Sequence, residues 1–162
     1  MISEKWDEKV IELAKSLINC QSYSGHEDKA AEVLKAYMKE AGVFDEIETD
    51  CYGNVIGHIK GKNPGSKVLF DGHIDTVPVG NLKDWKHDPF HAVVEEGKLY
   101  GRGTSDDKGP LVSSLFAMKY LADNQLIPKD TCLRMIVGTD EEESWQCIRY
   151  YLDHAEILPQ VS

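Results

Sequence analysis

Two short, largely apolar runs constrain the fold of this chain more than any other feature of its sequence. The first covers Val68–Phe70 and the second Leu133–Val137, and runs of this length predict strands that are covered on both faces. Segments with helical periodicity lie before, between and after these runs. Strands that alternate with helices indicate an α/β fold built in layers.

The periodic segments predict several helices. One covers about residues 4–19, and a second follows Ser24 and Glu27, which fit the capping box S-x-x-E. A third opens near Asp107, with Pro110 in its first turn, where proline is tolerated. A last helix is marked by Trp145, Ile148, Tyr151 and Leu152. A weak strand is predicted over Phe44–Asp50, and a turn at Cys51–Asn54 precedes a strand over Val55–Ile59. The remaining predicted elements are a turn over Lys62–Ser66 and a hairpin formed by Phe90–Glu95 and Lys98–Tyr100.

The charge balance limits the partners of the chain. It has 162 residues, enough for one compact domain, and a net charge of −10 from 28 acidic and 18 basic residues. Nucleic acids and anionic membranes are bound by clustered Lys and Arg. We therefore expect neither as a partner.

The N-terminal stretch and the cysteines suggest a cytoplasmic location. Met1–Cys20 is charged throughout and has no apolar core of a signal peptide. No stretch approaches the roughly 18 consecutive apolar residues of a membrane span. The four cysteines include no C-x-x-C pair, so reduced thiols are favoured, although an even count leaves two disulfides as an alternative.

The first chemical cluster, Asp71–Asp75, directly follows the first apolar run. In an extended segment residues i and i+2 share a face, so His73 and Asp75 can point at the same place. A neutral imidazole is a good zinc ligand, and a nearby carboxylate fixes its tautomer. The alternative for H-x-D alone is a hydrogen-bonded loop histidine.

The second cluster is the glycine-rich segment Gly101–Pro110. Its glycines allow a sharp turn that delivers a carboxylate, Asp106 or Asp107, to the start of a helix. The alternative is an ordinary aspartate N-cap. A nucleotide-binding loop is not supported, because neither phosphate-loop pattern fits the segment.

The third cluster, Asp140–Glu143, follows the second apolar run. Adjacent carboxylates repel one another unless a cation lies nearby. One Glu of such a run could bind a metal ion while its neighbour accepts a proton from water. A solvated acidic helix N-terminus is the alternative.

The order H-x-D, then G-R-G-x-x-D-D-K-G, then D-E-E is far more specific than any of its parts. The run Leu69–Pro78 resembles the first metal motif of the dinuclear zinc peptidase and deacylase family, and Trp85–Phe90 and Leu99–Gly103 continue the similarity in order. It extends from about Val10 to near Tyr151. The family includes bacterial dipeptidases, carnosinase-like enzymes, glutamate carboxypeptidases, aminoacylases and succinyl-diaminopimelate desuccinylase.

The resemblance implies a role for each candidate site residue. His73 would bind one zinc ion, and Asp75 would orient His73. Asp106 would bridge two ions, and Glu142 would bind the second. Glu141 would be the general base for the water held between the metals. A complete site would hold two Zn²⁺, with Co²⁺ or Mn²⁺ as alternatives.

The resemblance also implies a fold. We expect a three-layer αβα catalytic domain with a mixed, mostly parallel sheet, of which residues 1–162 form an incomplete, N-terminal part. The peptide bond Asp106–Asp107 is expected to be cis, as it often is in the family.

The sequence departs from the family after the third cluster. The family uses two further ligands, an acidic residue and a histidine, and neither His154 nor Glu156 matches their positions. We expect the lid or dimerisation domain and the C-terminal catalytic segment to be absent. This chain should then bind metal weakly and have little or no activity, unless another chain completes the site. A homodimer is expected only for a full-length form.

The expected substrate is a small peptide, because Gly103–Pro110 and Gly138–Glu142 look most like the dipeptidase branch. An N-acyl-amino acid is the alternative within the family. From other classes, a non-catalytic remnant stays open, whereas a serine hydrolase using Ser105 lacks a G-x-S-x-G elbow. His87, in the loop before the hairpin, is a further residue that could approach the site.

Overall fold

The computed structural model of the protein describes residues 4–61 and 66–155. In chain order its elements are α1 (Glu4–Ile18), α2 (Asp28–Ala41), β1 (Glu46–Thr49), β2 (Val55–Lys60), β3 (Ser66–His73), a 3-10 turn (Leu82–Asp84), β4 (Val93–Glu95), β5 (Lys98–Tyr100), α3 (Lys108–Asp123), β6 (Thr131–Gly138) and α4 (Gln146–His154). The predicted turn over Lys62–Ser66, apart from Ser66, and Glu156 lie outside the described residues. No helix in the described ranges is both long and apolar enough to cross a membrane.

The larger sheet has four strands in the order β1-β2-β6-β3. β3 and β6 are parallel, whereas β1–β2 and β2–β6 are antiparallel. The prediction of a mixed sheet is confirmed, but "mostly parallel" is wrong for the described residues. The predicted turn at Cys51–Asn54 joins β1 to β2, and so short a connection joins only antiparallel strands.

Helices cover both faces of this sheet. α1, α2 and α3 share one core with inward-facing strand residues such as Val55 and Ile59. On the opposite face, Ile56 and Ile136 pack against Tyr151 of α4. The predicted three-layer αβα arrangement is therefore confirmed.

The smaller sheet is the predicted hairpin of β4 and β5. Its two turn residues, Glu96 and Gly97, both have positive φ, 51° and 74°, as the tight hairpin turns that match strand twist require. The first strand is shorter than predicted, Val93–Glu95 instead of Phe90–Glu95, because residues 88–91 form a turn closed by His91 N–H donating to the Asp88 carbonyl.

The parallel pair β3–β6 determines where the chemical clusters meet. His73 at the end of β3 is in register with Gly138 at the end of β6, so both strands end at the same edge of the sheet. The connection between them carries the second cluster and α3. Ligands in open α/β sheets bind outside the carboxyl ends of strands, and this edge is therefore the place to look for a site.

A core substitution in α3 tests this packing. Leu115 is fully buried among α1, α2 and α3. We expect Leu115→Ala to lower the free energy of unfolding by about 2–5 kcal/mol, because it leaves a cavity. The control Leu126→Ala, at a position 54% exposed, should change it by no more than about 0.5 kcal/mol. Urea denaturation measures both, and equal effects would contradict the assignment of Leu115 to the core.

The thiols differ in exposure, and their reactivity should follow. Cys51 is exposed in the β1–β2 turn, while Cys132 and Cys147 are buried. Burial raises the pKa of Cys147 to about 11. At pH 8 only about one in a thousand Cys147 thiols is the reactive thiolate.

We expect a disulfide reagent to label Cys51 quickly and Cys147 only after unfolding, as mapped by mass spectrometry. Cys51→Ala should remove the fast phase. Fast labelling of Cys147 in the native protein would show that its burial is wrong.

Candidate metal centre

His73 stands at the carboxyl end of β3 between two carboxylates. Its Nδ1 lies 3.2 Å from Asp75 Oδ1 and its Nε2 lies 3.1 Å from Asp106 Oδ1. The imidazole is 7% exposed. Because both ring nitrogens face carboxylates, His73 has no nitrogen free to act as the base of a serine hydrolase for the exposed Ser105.

Asp75 is fully buried and accepts four hydrogen bonds. One comes from His73, and another from the Ser24 hydroxyl at 2.7 Å. The backbone N–H groups of Glu141 and Glu142 donate the other two, at 3.1 and 3.0 Å. Burial alone would raise the pKa of Asp75, but these hydrogen bonds outweigh it and lower the pKa. Asp75 is thus a buried anion that joins the first and third clusters.

The turn after β6 is held by side chains instead of by regular backbone pairing. Four consecutive N–H groups donate to side-chain oxygens: Thr139 to Asn54 Oδ1, Asp140 to Glu27 Oε1, and Glu141 and Glu142 to the two Asp75 oxygens. Buried backbone N–H groups need partners, and no strand is available here. The direction of the acidic side chains in this turn therefore depends on these acceptors.

The glycine-rich loop brings Asp106 to the same edge. The Asp106–Asp107 peptide bond is cis, as predicted. The Asp106 side chain is 74% exposed and reaches His73. Asp107 precedes α3, yet its side chain does not cap the helix. Its Oδ2 accepts from the His73 backbone N–H at 3.2 Å, directly beneath Gly72, where a Cβ would lie only 2.7 Å from that oxygen.

Three of the predicted residues converge on one point. One ligand atom each from His73, Asp106 and Glu142 lie within 4.8 Å of one another. An imidazole nitrogen with two carboxylate oxygens is a donor set suited to zinc and to other first-row divalent metals. The residues of this structure therefore fit the metal that the sequence implies. Glu141 lies beside them, with its Oε2 3.7 Å from His73 Nε2.

The electrostatics of the cluster are those of crowded carboxylates. Burial opposes protonation of His73, but the hydrogen bond and charge of Asp75, the charge of Glu141 and the hydrogen bond to Asp106 raise its pKa to about 9. Burial and the Asp106 charge raise the pKa of Glu142. The raised pKa of His73 indicates that its carboxylate neighbours favour positive charge at this place, which a bound cation would also supply.

Sequence reasoning missed three supports of the site. Ser24 and Glu27 were predicted to cap α2, but neither side chain does so, since Ser24 donates to Asp75 and Glu27 accepts from Asp140. Lys108 is fully buried, and its Nζ donates to the carbonyls of Leu17 and Cys20 at 2.8 and 2.9 Å. Burial lowers the pKa of Lys108 to about 8. The lysine ties the loop carrying Asp106 to the end of α1.

Other polar residues near the clusters have different partners. His87 bonds Glu95 Oε2 at 3.0 Å and packs edge-on against Tyr100, so it does not join the ligand group. Asp140 accepts from the Tyr52 hydroxyl at 2.7 Å and from Ser144, so this carboxylate stabilises the turn.

Comparisons with known proteins agree with the fold. The chain is 36% identical to Beta-Ala-Xaa dipeptidase of Lactobacillus delbrueckii subsp. lactis, over 68% of this chain and 23% of the relative. It is 35% identical to succinyl-diaminopimelate desuccinylase of Wigglesworthia glossinidia brevipalpis, over 83% of this chain and 35% of the relative. The crystal structure of Bacillus subtilis YXEP, described as a dinuclear metal binding peptidase, matches with a TM-score of 0.70 at 19% identity, over 93% of this chain and 40% of that one.

The fold is of the α/β class, and the named relatives are a dipeptidase and a desuccinylase. More specifically, the chain belongs to Peptidase family M20/M25/M40, whose sequence profile matches residues 69–160, more than half of its length. The chain spans only 23–38% of the length of the curated relatives it matches.

Proposed function

We propose that His73, Asp106 and Glu142 bind a divalent metal ion, and that the protein hydrolyses an amide bond in dipeptides or other small peptides. The observation that carries this proposal is the convergence of three ligand atoms, from three separate segments, within 4.8 Å. The description of YXEP as a dinuclear metal binding peptidase supports it. Zinc is the proposed metal, with two ions in a complete site, and Co²⁺ and Mn²⁺ are the alternatives.

Each side chain has a distinct part in this proposal. A divalent metal bound there would acidify water and polarise the scissile carbonyl. Glu141 accepts the proton of the attacking water at Oε2 and later donates it to the leaving amine. Asp75 accepts a hydrogen bond from His73 Nδ1–H, which leaves Nε2 as the ligand atom. The exposed Asp106 carboxylate would be shared by the two metal ions.

The chain corresponds to only part of the length of each relative. We propose that these residues form the N-terminal part of a catalytic domain, and that any homodimer belongs to a longer form. Three ligands shared between two ions would leave each ion with two protein ligands, whereas a catalytic zinc normally takes three. The 162-residue chain alone should therefore bind metal weakly and hydrolyse little. Its free thiols support a cytoplasmic location.

N-acyl-amino-acid deacylation is the second candidate function. The 35% identity to a desuccinylase favours it, and it needs the same attack on an amide carbonyl. The two candidates differ in what lies on the acyl side of the bond, an amino acid or a carboxylic acid.

The test is a hydrolysis assay of the natural polypeptide that contains this sequence. Purified protein is treated with a chelator, reloaded with Zn²⁺, Co²⁺ or Mn²⁺, and offered dipeptides and N-succinyl-amino acids, with products followed by mass spectrometry. We expect dipeptide cleavage that is lost with the chelator and restored by metal. Cleavage of the acyl substrates alone would favour the second candidate, and metal-independent cleavage would refute the metal proposal.

A further inference from the structure

Glu27 occupies an unusual position for a residue at the start of a helix. It is the residue before α2, yet its side chain makes no capping bond to that helix. It is only 6% exposed. Its Oε1 accepts instead from the N–H of Gly25 at 2.8 Å and from the N–H of Asp140 at 3.0 Å.

The second of these bonds crosses 113 residues of sequence and reaches the turn that carries the proposed ligand Glu142. Asp140 is the residue at which this turn reverses, with φ of 62° in the left-handed region. That conformation is uncommon for residues other than glycine, and Asp is among those that adopt it most often. The bond from Glu27 fixes the peptide plane that enters Asp140, directly before Glu141 and Glu142.

The two buried carboxylates, Glu27 and Asp75, accept hydrogen bonds from consecutive backbone N–H groups of this turn. Glu27 holds the first of three consecutive N–H groups, and Asp75 holds the next two. Ser24, three residues before Glu27, donates to Asp75. The connector between α1 and α2 thus reaches both the first cluster and the third.

We propose that Glu27 is a positioning residue of the metal site, whose carboxylate holds the Asp140 backbone so that Glu141 and Glu142 point at His73. This inference rests on the proposed function for its metal. The proposed role depends on the length of the Glu27 side chain, because Oε1 must extend from the residue before α2 to the turn after β6. The negative charge of Glu27 is secondary, because an amide oxygen accepts the same N–H bonds.

Two variants separate reach from charge. Glu27→Gln keeps the length and an acceptor oxygen, whereas Glu27→Asp keeps the charge but is one methylene shorter. The matched controls are Glu32→Gln and Glu32→Asp on the exposed side of α2, where the side chain is 73% exposed. Affinity for Zn²⁺ in the natural polypeptide that contains this sequence is measured by competition with a chromophoric chelator, well below the unfolding temperature of each variant.

We expect Glu27→Asp to weaken Zn²⁺ binding by about 10–100-fold, the usual effect of losing a residue that orients metal ligands. Glu27→Gln should change it by no more than about threefold, since both N–H bonds persist. The Glu32 variants should bind as the wild type does. If Glu27→Asp binds Zn²⁺ like the wild type, or if Gln weakens binding more than Asp does, the proposal is overturned.

Amide hydrogen exchange of the metal-free chain gives an independent measurement. Glu27→Asp should speed exchange at Asp140 by about tenfold or more, because the N–H loses its buried acceptor. Glu27→Gln and the Glu32 variants should not. Unchanged exchange in Glu27→Asp would overturn the positioning role. Absence of Zn²⁺ binding in the wild type would refute the proposed function instead, and the exchange rates would still decide whether Glu27 holds the turn.

Discussion

Replacing Glu141 with Gln is expected to lower kcat for amide hydrolysis by about 10²–10⁴-fold, the usual contribution of a general base. Gln has nearly the same shape but cannot accept a proton. The backbone of Glu141 is fixed by Asp75 at 3.1 Å, and its carboxylate is 31% exposed beside His73. Substrate and water can therefore reach it. The measurement is the steady-state kinetics of the natural polypeptide, with kcat and KM determined separately.

Glu143→Gln is the matched control, because it removes an equal charge from the same run at an exposed position. It should leave kcat within about threefold of the wild type, as expected for a group that takes no part in proton transfer. Zn²⁺ affinity should be similar in both variants. A Glu141→Gln enzyme that keeps most of its kcat would show that another group accepts the proton.

Replacing His73 with Ala is expected to weaken Zn²⁺ binding by at least about 100-fold, since loss of a partner that only orients a ligand already costs 10–100-fold. His73 supplies the nitrogen of the proposed ligand set, and Asp106 and Glu142 remain as carboxylates alone. Isothermal titration calorimetry of the natural polypeptide that contains this sequence measures the change. His91→Ala, at an exposed position, is the control.

The folded state of each variant must be compared first, because His73 also bonds the buried Asp75. Circular dichroism and urea denaturation provide that check. Equal Zn²⁺ affinity in a folded His73→Ala protein would exclude this histidine as a ligand.

The sequence predicted the parts of this fold whose causes are local. The apolar run Val68–Phe70 lies within β3, and Leu133–Val137 lies within β6, because strands covered on both faces are largely apolar. The hairpin turn could be predicted because its sequence signature lies in two adjacent residues, Glu96 and Gly97. The family resemblance assigned His73, Asp106 and Glu142 to one site. The parallel pairing of β3 with β6 explains why these residues meet.

The supports of the site could not be predicted in the same way. Ser24 and Glu27 form a local pattern that indicates a helix cap, but their partners, Asp75 and Asp140, lie 51 and 113 residues away. Nothing in the G-x-x-D-D-K-G motif indicates that Lys108 is buried, and only its contacts with the end of α1 show it. Long-range acceptors outweighed local propensity at these positions.

The proportion of parallel pairing was also missed for a physical reason. Resemblance described a larger sheet, whereas the four-stranded sheet of the described residues contains one crossover, between β3 and β6, and two antiparallel pairings. Connection length decides pairing direction, and the turn at Cys51–Asn54 could have indicated this from the sequence.

The location of a bound metal tests the central claim most directly. Crystals of the 162-residue chain soaked in Zn²⁺ would be measured on both sides of the zinc absorption edge, so that anomalous differences show the ion itself. We predict a peak in contact with His73 Nε2 and with the carboxylates of Asp106 and Glu142. A peak at other acidic residues, with His73 still bonded to Asp106, would contradict the assignment of this site.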